Sequence, residues 1–170
     1  KNDPYVYGDR ADYNGETHVA NVYSDLVKVV DGDATLYTYK FLFNTKTNVG
    51  EFADGGVVTN RENQLESDRG YYYGSTRDAV CVGNVELRDS TYLIVSDSLG
   101  FNMDTEIATF YRKTYIWNEK EEILSANSGW YDTRTDHYHF MSDAYVLSED
   151  QEIWADDMDY RADSDDVVLR

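Results

Sequence analysis

The sequence predicts an all-β protein built of consecutive antiparallel hairpins. Three observations carry this. The chain is rich in strand-favouring aromatics, with 16 Tyr, 6 Phe and 3 Trp in 170 residues. No long segment places apolar residues at i, i+3, i+4 and i+7, whereas short alternating runs recur, as in Thr35–Phe43, Val80–Leu87 and Thr114–Trp117. Finally, the chain repeats itself about every 29 residues.

The repeat is read on apolar columns. Leu36, Leu65, Ile94, Leu124 and Ile153 stand 29, 29, 30 and 29 residues apart. Seven residues after each comes an aromatic: Phe43, Tyr72, Phe101, Tyr131 and Tyr160. A hydroxyl follows four further on, at Thr47, Thr76, Thr105, Thr135 and Ser164. Five residues later stand Phe52, Cys81, Phe110 and Phe140, and the unit ends on Val58, Leu87, Ile116 or Val146. Seven residues of strand span about 23 Å, so the first stretch is one strand. Asn44–Thr47 and Asp132–Thr135 are polar turns whose Asn, Asp and Thr side chains bond local backbone. The second strand returns, and turns such as Asn60–Asn63 lead to the next unit. A lone hairpin cannot bury its apolar face, so neighbouring units must cover one another.

The ends fit less well. Residues 1–30 read as an irregular lead-in with one or two strands, among them Asn21–Val30, and residues 31–170 as the repeat domain. Tyr160–Arg170 opens a fifth unit that looks cut short, so the natural chain is expected to continue. The start at Lys1 reads as a trimmed chain whose leader is missing.

Charge and motifs narrow the function. Thirty-three acids against 15 bases give a formal net charge of −18, which repels phosphate backbones and excludes general nucleic-acid binding. No apolar run reaches the roughly 20 residues of a membrane helix. One cysteine leaves no internal disulfide framework and no multi-cysteine zinc site. There is no Gly-x-Ser-x-Gly, no phosphate loop and no His-Glu-x-x-His, and no carboxylate pair stands out from the acidic background. The reading is of a protein that is not an enzyme and needs no cofactor.

Several segments resemble a known family. Ser96-Asp97-Ser98-Leu99 with Phe101-Asn102, Thr105, Ala108 and Tyr111 is similar to the repeat of the OstA-like/LptA proteins. So are Gly129-Trp130-Tyr131-Asp132-Thr133-Arg134 with Ala144-Tyr145, and the strand opening Gly83-Asn84-Val85-Glu86-Leu87. The form around Trp130 most resembles OstA-like proteins of Bacteroidota. The resemblance covers roughly residues 31–161. It implies a slab-like, twisted β-jelly roll and a periplasmic, exported protein of lipopolysaccharide transport. It also implies acyl chains held between two sheets and domains stacked edge to edge. The implied partners are lipopolysaccharide or lipid A, other transport proteins, and further copies of the chain through edge strands.

The candidate lipid-lining residues are Phe43, Phe52, Tyr72, Phe101, Phe110, Ile116, Tyr131 and Phe140. Their bland reading is a dry β-core, and the two are compatible if the core can open. An interior with an opening along one long side favours transport. A sealed slab favours the alternative, a non-catalytic structural or adaptor domain for envelope protein assembly. His137-Tyr138-His139 is the only metal-like spacing; parity with Phe140 turns both imidazoles outward, and two histidines with no third ligand are read as no metal site. Asp156, Asp157, Asp159, Asp163, Asp165 and Asp166 lack the glycine and terminal glutamate of a calcium loop and read as a solvated run. Cys81 takes the place of a Phe and is expected to pack inward as a small apolar side chain. Trp117, Trp130 and Trp154 share no repeat column, so no aromatic platform for carbohydrate is expected.

Overall fold

The computed structural model describes residues 4–164 and 166–170 of the chain. Among these there are sixteen strands and no helix. The strands are β1 (Tyr5–Tyr7), β2 (Arg10–Asn14), β3 (Val19–Asp31), β4 (Ala34–Asn44), β5 (Val49–Asn60), β6 (Asn63–Ser67), β7 (Arg69–Tyr73) and β8 (Asp78–Arg88). They continue with β9 (Tyr92–Asn102), β10 (Ile107–Phe110), β11 (Thr114–Asn118), β12 (Ile123–Ala126), β13 (Ser128–Asp132), β14 (His137–Leu147), β15 (Glu152–Arg161) and β16 (Asp166–Leu169). Every pairing is antiparallel, as a chain of hairpins requires.

The long strands change partner halfway. β5 pairs with β7 through Val49–Phe52 and with β6 through Gly56–Asn60. β9 pairs with β11 through Tyr92–Ser96 and with β10 through Gly100 and Phe101. The ladder is therefore two half-sheets. One runs from β2 through the corner-side halves of β3–β5, β7–β10 and β13–β15 to β16. The other runs from β1 through the remaining halves, with β6, β11 and β12, to the start of β15. The halves face each other around one apolar core, the slab-like β-jelly roll.

A crease separates the halves. Register shifts fall at Tyr23/Val27, Thr38/Lys40, Val82/Val85 and Met141/Ala144. Residues with positive φ sit there too: Asp54, Gly55, Gly83, Asn84, Ser142 and Asp143. Bulges bend the strand that carries them. Hydrogen bonds run along the crease, from Gly55 N to Asp68 O at 2.7 Å and from Asp68 N to Gly83 O at 2.9 Å.

The crease explains an oddity of the repeat. An interval of seven in a flat strand puts Ile94 and Phe101 on opposite faces. Both are inward, with 0% and 2% exposure, because the strand slips by one residue between Ser96 and Leu99. Such a slip turns every following side chain to the other face. The return strand needs no such flip: Cys81 and Leu87 stand an even six apart, and both are fully buried.

The corners are equally regular. Asn44 Oδ1 accepts from the backbone N–H of Lys46 and Thr47, both at 3.0 Å, and Asn102 Oδ1 accepts from Asp104 and Thr105, both at 2.9 Å. Each corner closes with a residue near φ 60°: His18, Asn48, Arg77, Glu106 and Asp136. Successive corners are stitched by backbone bonds, from Thr45 N to His18 O, Gly74 N to Asn48 O and Met103 N to Arg77 O, each at 2.9 Å.

This places the first corner at Asn14–His18, inside the expected lead-in. Residues 5–30 are more regular than expected: they form β1, β2 and nearly all of β3 rather than one or two strands. β3 runs unbroken through Val30 into Asp31 and pairs with β4 along its length, so the ladder has no seam at residue 31. The sequence concealed this because β2 is exposed throughout and lacks the inward apolar column.

Candidate functional site

The interior holds the predicted lining residues. Phe52, Phe101, Phe110, Ile116, Tyr131 and Phe140 are each 3% exposed or less, while Phe43 and Tyr72 pack partly buried against the same core. Burying one such side chain is worth about 1.5–3 kcal/mol. The residues form two groups. Toward the N-terminal end, Phe52 and Tyr72 share a small apolar cavity with Val29, Leu36, Phe41 and Val58. Its volume is about 20 Å³, room for about one water. Toward the C-terminal end, rings touch in series. Phe110 lies 5.8 Å from Phe140, Phe140 4.2 Å from Tyr138, Tyr138 6.2 Å from Tyr131, and Tyr131 5.9 Å from Tyr92. Phe101 and Ile116 fill the middle, opposite Ala108 and Ala79, and Ile94 and Leu124, respectively.

Sequence reasoning missed Phe41, Tyr92 and Met103, all buried, while Tyr138 lies inward beside Phe140 as strand parity requires. Phe41 falls outside the repeat columns. Its signal was the neighbouring glycine: a Cβ on Gly50 would come within 2.3 Å of Phe41 Cζ, and one on Gly70 within 2.6 Å of the Phe52 ring. The glycines let the rings lie on bare backbone. Cys81 packs inward as expected, and burial pushes its thiol up to about 11.

Along the long side opposite the crease, corners of the two half-sheets meet in a polar seam. Arg77 reaches Asp33 at 2.7 Å, Asp104 at 2.6 Å and Asp31 at 3.8 Å. Arg61 lies 2.9 Å from both Asp33 and Glu106, and Arg134 adds a contact to Glu106 at 3.7 Å. Asn63 donates to Glu106 at 2.8 Å. The Tyr72 hydroxyl donates to Asp31, that of Tyr92 to Asn63 and that of Tyr131 to Asp136. The inner tyrosines thus join the core to the seam. The hydrogen bond from Arg77 holds the Asp33 carboxyl below the usual carboxylate range. Burial, reinforced by Asp31 and Asp136 respectively, raises the phenols of Tyr72 and Tyr131. The interior is apolar and nearly filled, and the polar seam lines one long side of it.

The outer face holds the remaining candidates. His137 and His139 point outward from β14, on the face opposite the buried Tyr138 and Phe140, and each is half-buried. The acids of β15 divide: Asp157 and Asp159 lie half-buried beside the histidines, while Asp156, Asp163 and Asp166 are exposed. Asp165 lies outside the described residues. The tryptophans depart from expectation. Trp117 and Trp154 share the outer face of the second half-sheet, beside Tyr115 at 6.2 Å and Tyr145 at 5.2 Å. Columns of the repeat do not show this, since the two lie on strands of different repeat phase.

Comparison with known proteins agrees with this architecture. LptH of Pseudomonas aeruginosa, described as the LptA-homologous periplasmic component of the conserved lipopolysaccharide transport device, has a similar structure with a TM-score of 0.57. It is 13% identical, over 62% of this chain and 79% of its own, so the likeness is one of fold. No curated protein matches the chain. The family described as OstA-like protein matches residues 4–97, more than half of the chain and including the first corner that the motifs left out. With its folded-over hairpins, apolar interior and this match, the chain belongs to the OstA-like family.

Proposed function

We propose that the chain is a periplasmic module of lipopolysaccharide transport that holds acyl chains between its two half-sheets. The observation that carries this is the interior. It is aromatic and aliphatic from Leu36 to Met158, and one long side is lined by side-chain pairs rather than by strand ladder. Each methylene moved from water into such an interior is worth about 0.8 kcal/mol. The cavity of about 20 Å³ does not hold an acyl chain as it stands. Uptake therefore parts the half-sheets at the seam, where Arg77 and Arg61 exchange carboxylates for water. Edge strands β2 and β16 offer unpaired backbone for stacking on another copy or on a related transport protein. The module works without catalysis or cofactor.

The filled interior also supports a second reading, a structural or adaptor domain that keeps its core sealed and uses only its edges.

Binding of fluorescent lipopolysaccharide, with a photo-crosslinking residue at Phe101, separates the two. Saturable binding with a crosslink at that position supports transport. Binding without the crosslink moves the lipid to an edge or an outer face. A folded protein that binds no lipopolysaccharide leaves the adaptor reading.

A further inference from the structure

A groove lies outside the interior, on the outer face of the first half-sheet. Across the strands its outward residues run Tyr71, Val80, Gly100, Thr109 and Trp130, on β7, β8, β9, β10 and β13. The glycine is the low point. Every other glycine within a strand has a reason inside the fold. A Cβ on Gly50, Gly56 or Gly70 would come within 2.6 Å of a phenylalanine ring, and Gly55, Gly83 and Gly129 have positive φ. Gly100 has neither reason: its φ is not positive, and the atom nearest to a Cβ there is Thr109 O at 3.6 Å, an ordinary contact. A mid-strand glycine costs backbone entropy and packs nothing, and it often marks a place where a ligand comes close to the backbone. The groove above it measures about 580 Å³, the size of a small-ligand site. Tyr71 and Tyr73, each 39% exposed, wall it on one side. Trp130 walls the other, four strand spacings or about 19 Å away, and is held by edge-on packing against His137 at 4.7 Å. At the corner end Asn102 Nδ2 donates to Asp78 Oδ1 at 2.7 Å, which fixes amide and carboxylate at the floor beside Thr109.

We propose that this groove binds an uncharged glycan chain, with a sugar ring lying on the bare backbone of Gly100 between the tyrosines and Trp130. A sugar ring has apolar C–H faces and a rim of hydroxyls. Tyr and Trp offer the same pairing, an apolar ring with a polar edge. Apolar walls with a few fixed polar groups, here Asp78, Asn102 and Thr109, are what orients such a ligand. Other occupants fit less well. An extended peptide takes up free backbone N–H and C=O groups at a sheet edge, and the backbone of β8, β9 and β10 is already spent on the ladder. Nucleic acids and other polyanions are repelled by the net charge of −18. An acyl chain would strip water from the Asp78 carboxylate and return no hydrogen bond.

The groove is hidden in the sequence because its walls and floor come from five strands. Alternation along β9 shows Gly100 only as the neighbour of Phe101. The two lie back to back, with Phe101 facing the interior and Gly100 the outer face. Glycan binding here does not rest on the acyl-chain reading, and its failure would leave that reading untouched.

The test is isothermal titration calorimetry of the purified chain with cellohexaose, maltohexaose, N-acetylchitohexaose and deacylated lipopolysaccharide. Saturable binding of at least one of these is expected. Binding of deacylated lipopolysaccharide identifies the glycan as the sugar part of that lipid; binding of a hexasaccharide alone identifies a separate glycan. Gly100→Ala and Gly100→Val keep or raise Tm, because the added atoms have room, and weaken binding in that order, the Val variant by about tenfold or more. Tyr73→Ala, at an exposed position, weakens binding while circular dichroism stays native. Trp154→Ala, on the outer face of the other half-sheet, leaves binding unchanged. If the Val variant does not fold, the Ala and Tyr73 variants carry the test. Absence of binding to all of the probes overturns the proposal. So does undiminished binding by the Gly100 and Tyr73 variants, or binding that is lost with Trp154 instead.

Discussion

Arg77 concentrates several roles in one side chain. Its backbone closes a corner at φ 61°, its carbonyl accepts from the next corner, and its guanidinium bridges Asp31, Asp33 and Asp104. The side chain is 19% exposed and Asp31 15%, so water does not replace the lost partner cheaply. Arg77→Ala is expected to destabilise the protein by about 1–3 kcal/mol, read as a lower urea midpoint at unchanged slope. Arg77→Lys should recover little of this, because one compact ammonium cannot span three carboxylates as a planar fork does. If the lysine variant matches wild type, the seam is not held by bridging geometry.

The corner is the element that defines the repeat. Asx side chains cap it at Asn14, Asn44, Asn102 and Asp132, and one left-handed residue ends it. Asn48 holds that last position with φ 58°, and its carbonyl accepts from Gly74 of the next corner. The two demands separate by substitution. Asn48→Gly keeps the backbone and should change stability little. Asn48→Val should cost about 1–2 kcal/mol, the penalty of a β-branched side chain in the left-handed region that Asn tolerates through its short polar side chain. Thermal unfolding of the pair checks this; equal loss in both variants would assign the role to the Asn side chain instead.

At the scale of the molecule, buried phenols set an alkaline limit. Burial raises the pKa of Tyr92, Tyr131 and Tyr138 above the ordinary value of 10, and Asp136 raises Tyr131 further. A group whose folded pKa is raised stabilises fully below its unfolded value and less as pH climbs through the folded one. Stability should hold up to about pH 10 and then decline as the unfolded chain releases protons that the folded core retains. Tyrosinate absorbance of the buried class should appear together with loss of the β-sheet circular dichroism signal. Full ionisation of all tyrosines in a still-folded protein would contradict the burial of these three rings.

The hairpin order, the inward columns and the polar corners were legible in the sequence. Each depends on contacts a few residues apart, and Asn44, Thr47 or Phe52 announces them by type and spacing. Six of the eight candidates lie in the core for that reason, and Phe43 and Tyr72 pack against it. What the tertiary structure decided is how the hairpins fold over. Nothing local to Ser96–Leu99 or Gly83–Asn84 states that these kinks align into one crease; only pairing between successive strands brings them into line. The seam has the same origin, since Arg77 meets Asp31 and Asp33 across more than forty residues of chain. So has the pairing of His139 with Asp157 and Asp159. Alternation along a strand fixes which face a side chain takes, but hydrogen-bond register between strands fixes what it meets there.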